Sequence, residues 1–140
     1  MPSMRLAESA MPKRPLISIV EDDQPFRESM RRIITLMGYS VQVFPSPAAF
    51  LASPFLAGTA CLVADVQMPG MTGVELQRRL VDAGYAIPTI LVTAYPDEAV
   101  RERALNNGVL YYLSKPVDDR DLERWLHLAV KSGETPAEHS

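Results

Sequence analysis

Short apolar runs alternate along this chain with stretches whose apolar residues recur every three or four positions. The first run, Leu16-Ile17-Ser18-Ile19-Val20, is β-branched and predicts a strand. Phe26, Met30, Ile33, Ile34 and Met37 follow at helical spacing, with Pro25 suited to the first turn and Gly38 to the stop. Tyr39 to Phe44 alternates as a second strand, and Ser46-Pro47 reads as the cap and first turn of a short helix carrying Phe50 and Leu51. Ala60 to Val66 is apolar except for Asp65, the pattern of a strand buried on both faces of a parallel sheet. Gly73 to Leu80 is helical, Pro88 to Thr93 is a fourth strand, and Asp97 to Asn106 is a helix of mostly polar surface. Val109 to Leu113 is a fifth strand. Asp119 to Val130 is a last helix with Leu122, Trp125, Leu126 and Ala129 on one side.

Five strands alternating with five helices through short links predict an α/β fold, a doubly wound five-stranded parallel sheet. One domain over residues 15–130 accounts for the pattern. Residues 1–14, with Pro2 and Pro12, and the polar residues 131–140, with Gly133, are expected to be a loosely held extension and a flexible tail.

Composition narrows the class without changing that picture. A chain of 140 residues, 47% apolar and 22% charged, can bury one sizeable core. A formal charge of −3 points away from nucleic acid or an anionic membrane as a direct partner. Cys61 is the single cysteine, so no internal disulfide forms, and its apolar setting predicts a small buried hydrophobe. No apolar run approaches the ~18 residues that span a bilayer, and the N-terminus has no secretory pattern, so a cytoplasmic protein is expected. His127 and His139 are too isolated to form a metal motif.

In open parallel sheets, sites form outside the carboxyl ends of the strands. The first strand ends in Glu21-Asp22-Asp23, the third in Asp65, the fourth in Thr93, and the fifth runs into Ser114-Lys115-Pro116. Taken singly, an acidic run after a strand is a solvated loop or a helix cap, and Asp23, beside Pro25, fits that reading. Together these ends bring carboxylates, a hydroxyl and an ammonium to one edge. Clustered carboxylates need a cation or a proton. Oxygen ligands of this kind suit Mg²⁺, which could also hold a phosphoryl oxygen while Lys115 and Thr93 engage others. Asp65 is the best-placed nucleophile for an acyl phosphate.

Four segments carry a family likeness: Ile19-Val20-Glu21-Asp22-Asp23, Val63 through Gly73 with its Asp65…Met68-Pro69…Gly73 spacing, Leu91-Val92-Thr93-Ala94, and Leu113-Ser114-Lys115-Pro116. They resemble the receiver domain of two-component response regulators over about residues 15–130. Ala49-Phe50-Leu51 and Val74-Glu75-Leu76 resemble the subgroup that includes nitrogen-fixation regulators. The resemblance implies a flavodoxin-like sheet of order 2-1-3-4-5. It implies that Asp65 accepts a phosphoryl group from a sensor histidine kinase or phosphotransfer protein. Glu21, Asp22, Asp65 and the Gln67 backbone carbonyl would hold Mg²⁺. Lys115 would pair with the phosphoryl group, Thr93 and Tyr112 would form the switch, and the Lys115–Pro116 bond would be cis. The switch would act on the surface of the fourth helix, fifth strand and fifth helix. A homodimer could form there, with Arg101, Arg103, Asp118 and Asp119 as polar contacts or simply as solvated charges.

The chain departs from the family pattern at several points. The acidic pair is Glu-Asp rather than Asp-Asp, and Asp22 with Asp23 is the alternative pairing. Gln67, two residues past the phosphoacceptor, is expected to tune dephosphorylation. Tyr95 is bulky near the entrance. Only one of Tyr111 and Tyr112 can face the switch. Two other functions compete: the receiver half of a transcription factor, and a haloacid-dehalogenase-like phosphatase. Such phosphatases usually carry a second Asp where Gln67 stands.

Overall fold

The computed structural model describes residues 14–139, with side chains through residue 132. The expected extension at 1–14 lies almost wholly outside the described residues. The elements are β1 (Leu16–Val20), α1 (Gln24–Leu36), β2 (Ser40–Phe44), α2 (Pro47–Leu51), β3 (Cys61–Asp65), α3 (Gly73–Asp82), β4 (Thr89–Thr93), α4 (Glu98–Asn106), β5 (Tyr111–Ser114) and α5 (Asp119–His139). All strand pairs are parallel, in the order β2-β1-β3-β4-β5, as expected.

Strand alternation divides the core between two faces of the sheet. Ile17, Ile19, Cys61, Val63, Ile90 and Val92 pack with Met30 and Ile34 of α1 and with Leu122 and Leu126 of α5. Leu62, Ala64, Leu91 and Tyr112 point the other way, onto Phe50, Leu76, Leu80 and Ala104 of α2, α3 and α4. Burying both faces explains why β3 and β4 read as continuous apolar runs. Ser18, polar and buried in β1, is satisfied by a 2.7 Å hydrogen bond with the Thr59 hydroxyl. Cys61 is fully buried, and burial pushes its thiol pKa up, as befits a core residue.

Helix starts follow local chemistry. Asp23, Ser46, Thr72 and Asp97 cap α1 to α4, each accepting a backbone N–H two or three residues ahead. Two ends differ from expectation. β5 begins at Tyr111 rather than Val109, because the Val109 N–H turns back to the Ala104 carbonyl and closes α4. The last helix runs to His139, beyond Val130 and through Gly133. A lone helical glycine costs only about 1 kcal/mol and does not by itself stop a helix.

Candidate functional site

β1 and β3 are paired neighbours, with Val20 opposite Ala64, so Glu21 and Asp65 emerge side by side at the carboxyl edge. Thr93 ends β4 opposite Ser114, which brings Lys115 to the same edge. Carboxylate oxygens of Glu21, Asp22 and Asp65 lie within 4.8 Å of one another. Glu21 and Asp65 are buried, whereas Asp22 is exposed. Asp23 instead gives its side chain to the Phe26 N–H at 3.0 Å, so the acidic pair at the site is Glu21 with Asp22.

Lys115 ties the cluster together. Its Nζ donates to Glu21 Oε1 at 2.9 Å and to Asp65 Oδ2 at 3.0 Å. The Lys115–Pro116 bond is cis. Burial pushes the Glu21 carboxyl up to about 7; Lys115 opposes the rise and Asp65 adds to it. Burial pulls the Lys115 pKa down, but its bonds to Glu21 and Asp65 outweigh this, and the net direction is up. Glu21 Oε1 thus shares the ammonium with Asp65 Oδ2. The second Glu21 carboxylate oxygen accepts the Asp23 N–H at 3.1 Å, and Arg27 donates to the Glu21 carbonyl at 2.9 Å.

Thr93 is fully buried. Its hydroxyl donates to Gln67 Oε1 at 2.8 Å and accepts the Tyr95 N–H at 2.9 Å. The Gln67 N–H donates to Asp65 Oδ1 at 3.2 Å, so one residue touches both the acid and the hydroxyl. Tyr95 itself stays 73% exposed beside them. Tyr112 faces inward at 7% exposure, and its hydroxyl accepts the Asp97 N–H at 3.3 Å. Tyr111 turns to the opposite face and stacks on Trp125, with centroids 3.9 Å apart.

Gly73 explains the last position of the Asp65…Gly73 motif. A Cβ there would run into the Asp65 carbonyl oxygen and lie 3.0 Å from Leu91 Cδ2. Only a bare α-carbon lets α3 start against the end of β3, where the Gly73 N–H donates to the Val66 carbonyl at 3.0 Å.

The donor set fits a small hard cation: three carboxylates on one edge, two of them buried and only partly balanced by one ammonium. Sequence reasoning named these residues, but not the Gln67–Thr93 bond, the Asp97–Tyr112 bond or the Phe26 ring 4.1 Å from Lys115 Nζ. Apolar spacing marked Phe26 as a helix-face residue, and nothing local betrays its contact with a lysine 89 positions away along the chain. Of the polar residues expected on the output face, Arg101 pairs with Glu98 at 3.4 Å, and Asp118 accepts the N–H groups of Arg120 and Asp121.

Residues 17–127 match the family model of the response regulator receiver domain. The transcriptional regulatory protein FixJ of Rhizobium meliloti is 36% identical over 103 residues, 74% of this chain and 50% of that protein. The response regulator protein TmoT of Ectopseudomonas mendocina is 32% identical over 116 residues, 83% of this chain and 53% of that protein. The chain thus spans about half the length of these curated relatives. The crystal structure of FixJ-N superposes with a TM-score of 0.77 at 32% identity, covering 86% of this chain and 96% of that one.

Proposed function

The chain belongs to the response regulator receiver domain family, and from that membership we propose that Asp65 is the phosphoryl acceptor of a signalling switch. The observation that carries the reading is the buried Asp65 carboxylate, 3.0 Å from Lys115 Nζ and within 4.8 Å of the Glu21 and Asp22 oxygens. A carboxylate oxygen of Asp65 attacks the phosphorus of a phosphohistidine or a small acyl phosphate. The P–N or P–O bond breaks, and the leaving group departs with the electron pair. Asp65 becomes a mixed anhydride. Lys115 holds the charge of the incoming group, and Thr93 leaves Gln67 to donate its proton to a phosphoryl oxygen. Glu21, Asp22, Asp65 and the Gln67 carbonyl would hold Mg²⁺. Bound there, the ion would neutralise the charge that gathers on the phosphoryl oxygens. Slow hydrolysis of the anhydride returns the resting state.

The donor is a sensor histidine kinase or a phosphotransfer protein. Thr93 and Tyr112 pass the change to the surface of α4, β5 and α5, where a homodimer forms on activation. Incubating the chain with Mg²⁺ and acetyl phosphate is expected to add the mass of one phosphoryl group. Asp65→Asn is expected to abolish the gain. No gain in the wild type, or an equal gain in the variant, refutes the reading.

A further inference from the structure

Phe26 stands in the first turn of α1, and the Lys115 ammonium lies over its ring, 4.1 Å from the centroid. An ammonium has three N–H groups. Two of those on Lys115 serve Glu21 Oε1 at 2.9 Å and Asp65 Oδ2 at 3.0 Å, and the aromatic face covers a further approach. A cation within about 6 Å of a ring centroid is drawn to the face by the ring quadrupole, and more strongly where water is excluded. The Lys115 side chain is 17% exposed, so this pair is largely shielded.

The backbone that carries the ring is also firmly placed. The Phe26 N–H is capped by Asp23 Oδ2 at 3.0 Å, and the next residue, Arg27, donates to the Glu21 carbonyl at 2.9 Å. The first turn of α1 is therefore tied at two points to the segment that supplies Glu21. A lysine stem has many rotamers, and a fixed aromatic wall removes those that carry the ammonium into solvent.

We propose that Phe26 is a positioning residue for phosphoryl transfer: its ring holds the Lys115 ammonium on the Asp65 carboxylate and keeps water from it. The proposal rests on Asp65 being the acceptor. A leucine at position 26 would fill space without the quadrupole, so packing and electrostatics separate experimentally.

The test replaces Phe26 by phenylalanines bearing one to several ring fluorines, alongside Phe26→Leu and Phe26→Tyr, all in the full chain. Phosphorylation by acetyl phosphate with Mg²⁺ is followed by intact mass. Each fluorine weakens the ring's negative face at nearly constant size. The rate is expected to fall stepwise, about threefold to tenfold at the most fluorinated ring, with Phe26→Leu in the same range and Phe26→Tyr near wild type. In the protein without Mg²⁺, the Lys115 ammonium resonance is expected to be shifted upfield by the ring and slowed in water exchange. Both signatures should be lost in Phe26→Leu. Rates indifferent to fluorination, or a Lys115 signal unchanged in Phe26→Leu, overturn the proposal. If the leucine variant fails to fold, the fluorinated series still decides. A wild type that takes no phosphoryl group refutes the acceptor role itself, whereas labelling at Asp65 with fluorine-independent rates refutes only the role of Phe26.

Discussion

At the scale of single residues, the Thr93 hydroxyl is a contested group. It has one hydrogen to give and gives it to Gln67 Oε1 at 2.8 Å, while the Tyr95 N–H occupies a lone pair. In the proposed mechanism, a phosphoryl group on Asp65 takes that hydrogen from Gln67. A typical net hydrogen bond contributes about 0.5–1.5 kcal/mol, so Gln67→Ala is expected to raise the initial rate of phosphorylation about twofold to tenfold. An initial-rate assay with acetyl phosphate checks it, with hydrolysis timed separately. Gly73 sets two effects against each other. Alanine there would gain about 1 kcal/mol of helix propensity, but overpacking a fixed backbone costs about 1–3 kcal/mol, and the atom met is the Asp65 carbonyl oxygen. The clash is expected to win, so Gly73→Ala should lower the midpoint of urea unfolding. The acid, the lysine and the threonine were legible in the sequence because strand ends carry them to one edge whatever the rest of the chain does. The bonds among them were not, because Gln67–Thr93 and Phe26–Lys115 depend on rotamers set by the assembled sheet.

At the scale of elements, α4 is the loosest part of the proposed output surface. It buries only Ala104, whereas α3 buries Gly73, Leu76, Gln77 and Leu80. Beside the packing of Ala104 and the half-buried Val100, polar bonds tie it to the rest. Gln77 Nε2 donates to the Asn107 carbonyl at 3.0 Å, and the Asp97 N–H at its cap donates to the Tyr112 hydroxyl at 3.3 Å. Helices with little buried apolar surface open at low free-energy cost. Amide hydrogen exchange is therefore expected to be faster in α4 than in α1 or α3 at rest. It should change most in α4 once Asp65 is phosphorylated, because Thr93 and Tyr112 adjoin its start. Equal protection across the three helices would contradict this. The polar character of α4 was plain in the sequence, as were the caps at Asp23 and Ser46, since capping is decided within one turn. The start of β5 was not, because Val109 could pair in the sheet or close the helix, and the choice lies with tertiary packing. β5 also divides its aromatics by simple alternation: Tyr112 to the face covered by α2, α3 and α4, Tyr111 to the stack with Trp125.

At the scale of the whole molecule, the sheet gathers like charge at one edge. Three carboxylates share that edge with one lysine, and burial pushes Glu21 up to about 7. A domain stable in spite of such repulsion gains when a cation binds the folded form alone. At a free concentration of Mg²⁺ a hundred times its dissociation constant the gain is about 2.7 kcal/mol, which raises Tm by roughly 5–15 °C for a domain of this size. Asp22 is the informative residue for substitution, because it is exposed, makes no bond to Lys115 and lies outside the core. Asp22→Asn removes one charge from the cluster. In the absence of divalent cations it is expected to leave Tm unchanged or slightly raised, since repulsion falls. In saturating Mg²⁺ it should lose most of the upward shift, since a ligand is gone. A substitution that spares the metal-free Tm but removes the Mg²⁺ shift separates a cation site from a merely acidic surface, where Asp22→Asn would move both melting curves alike. Thermal scans of wild type and variant, with and without Mg²⁺ at constant ionic strength, give the four values. An Mg²⁺ shift of the same size in both proteins would remove Asp22 from the metal site.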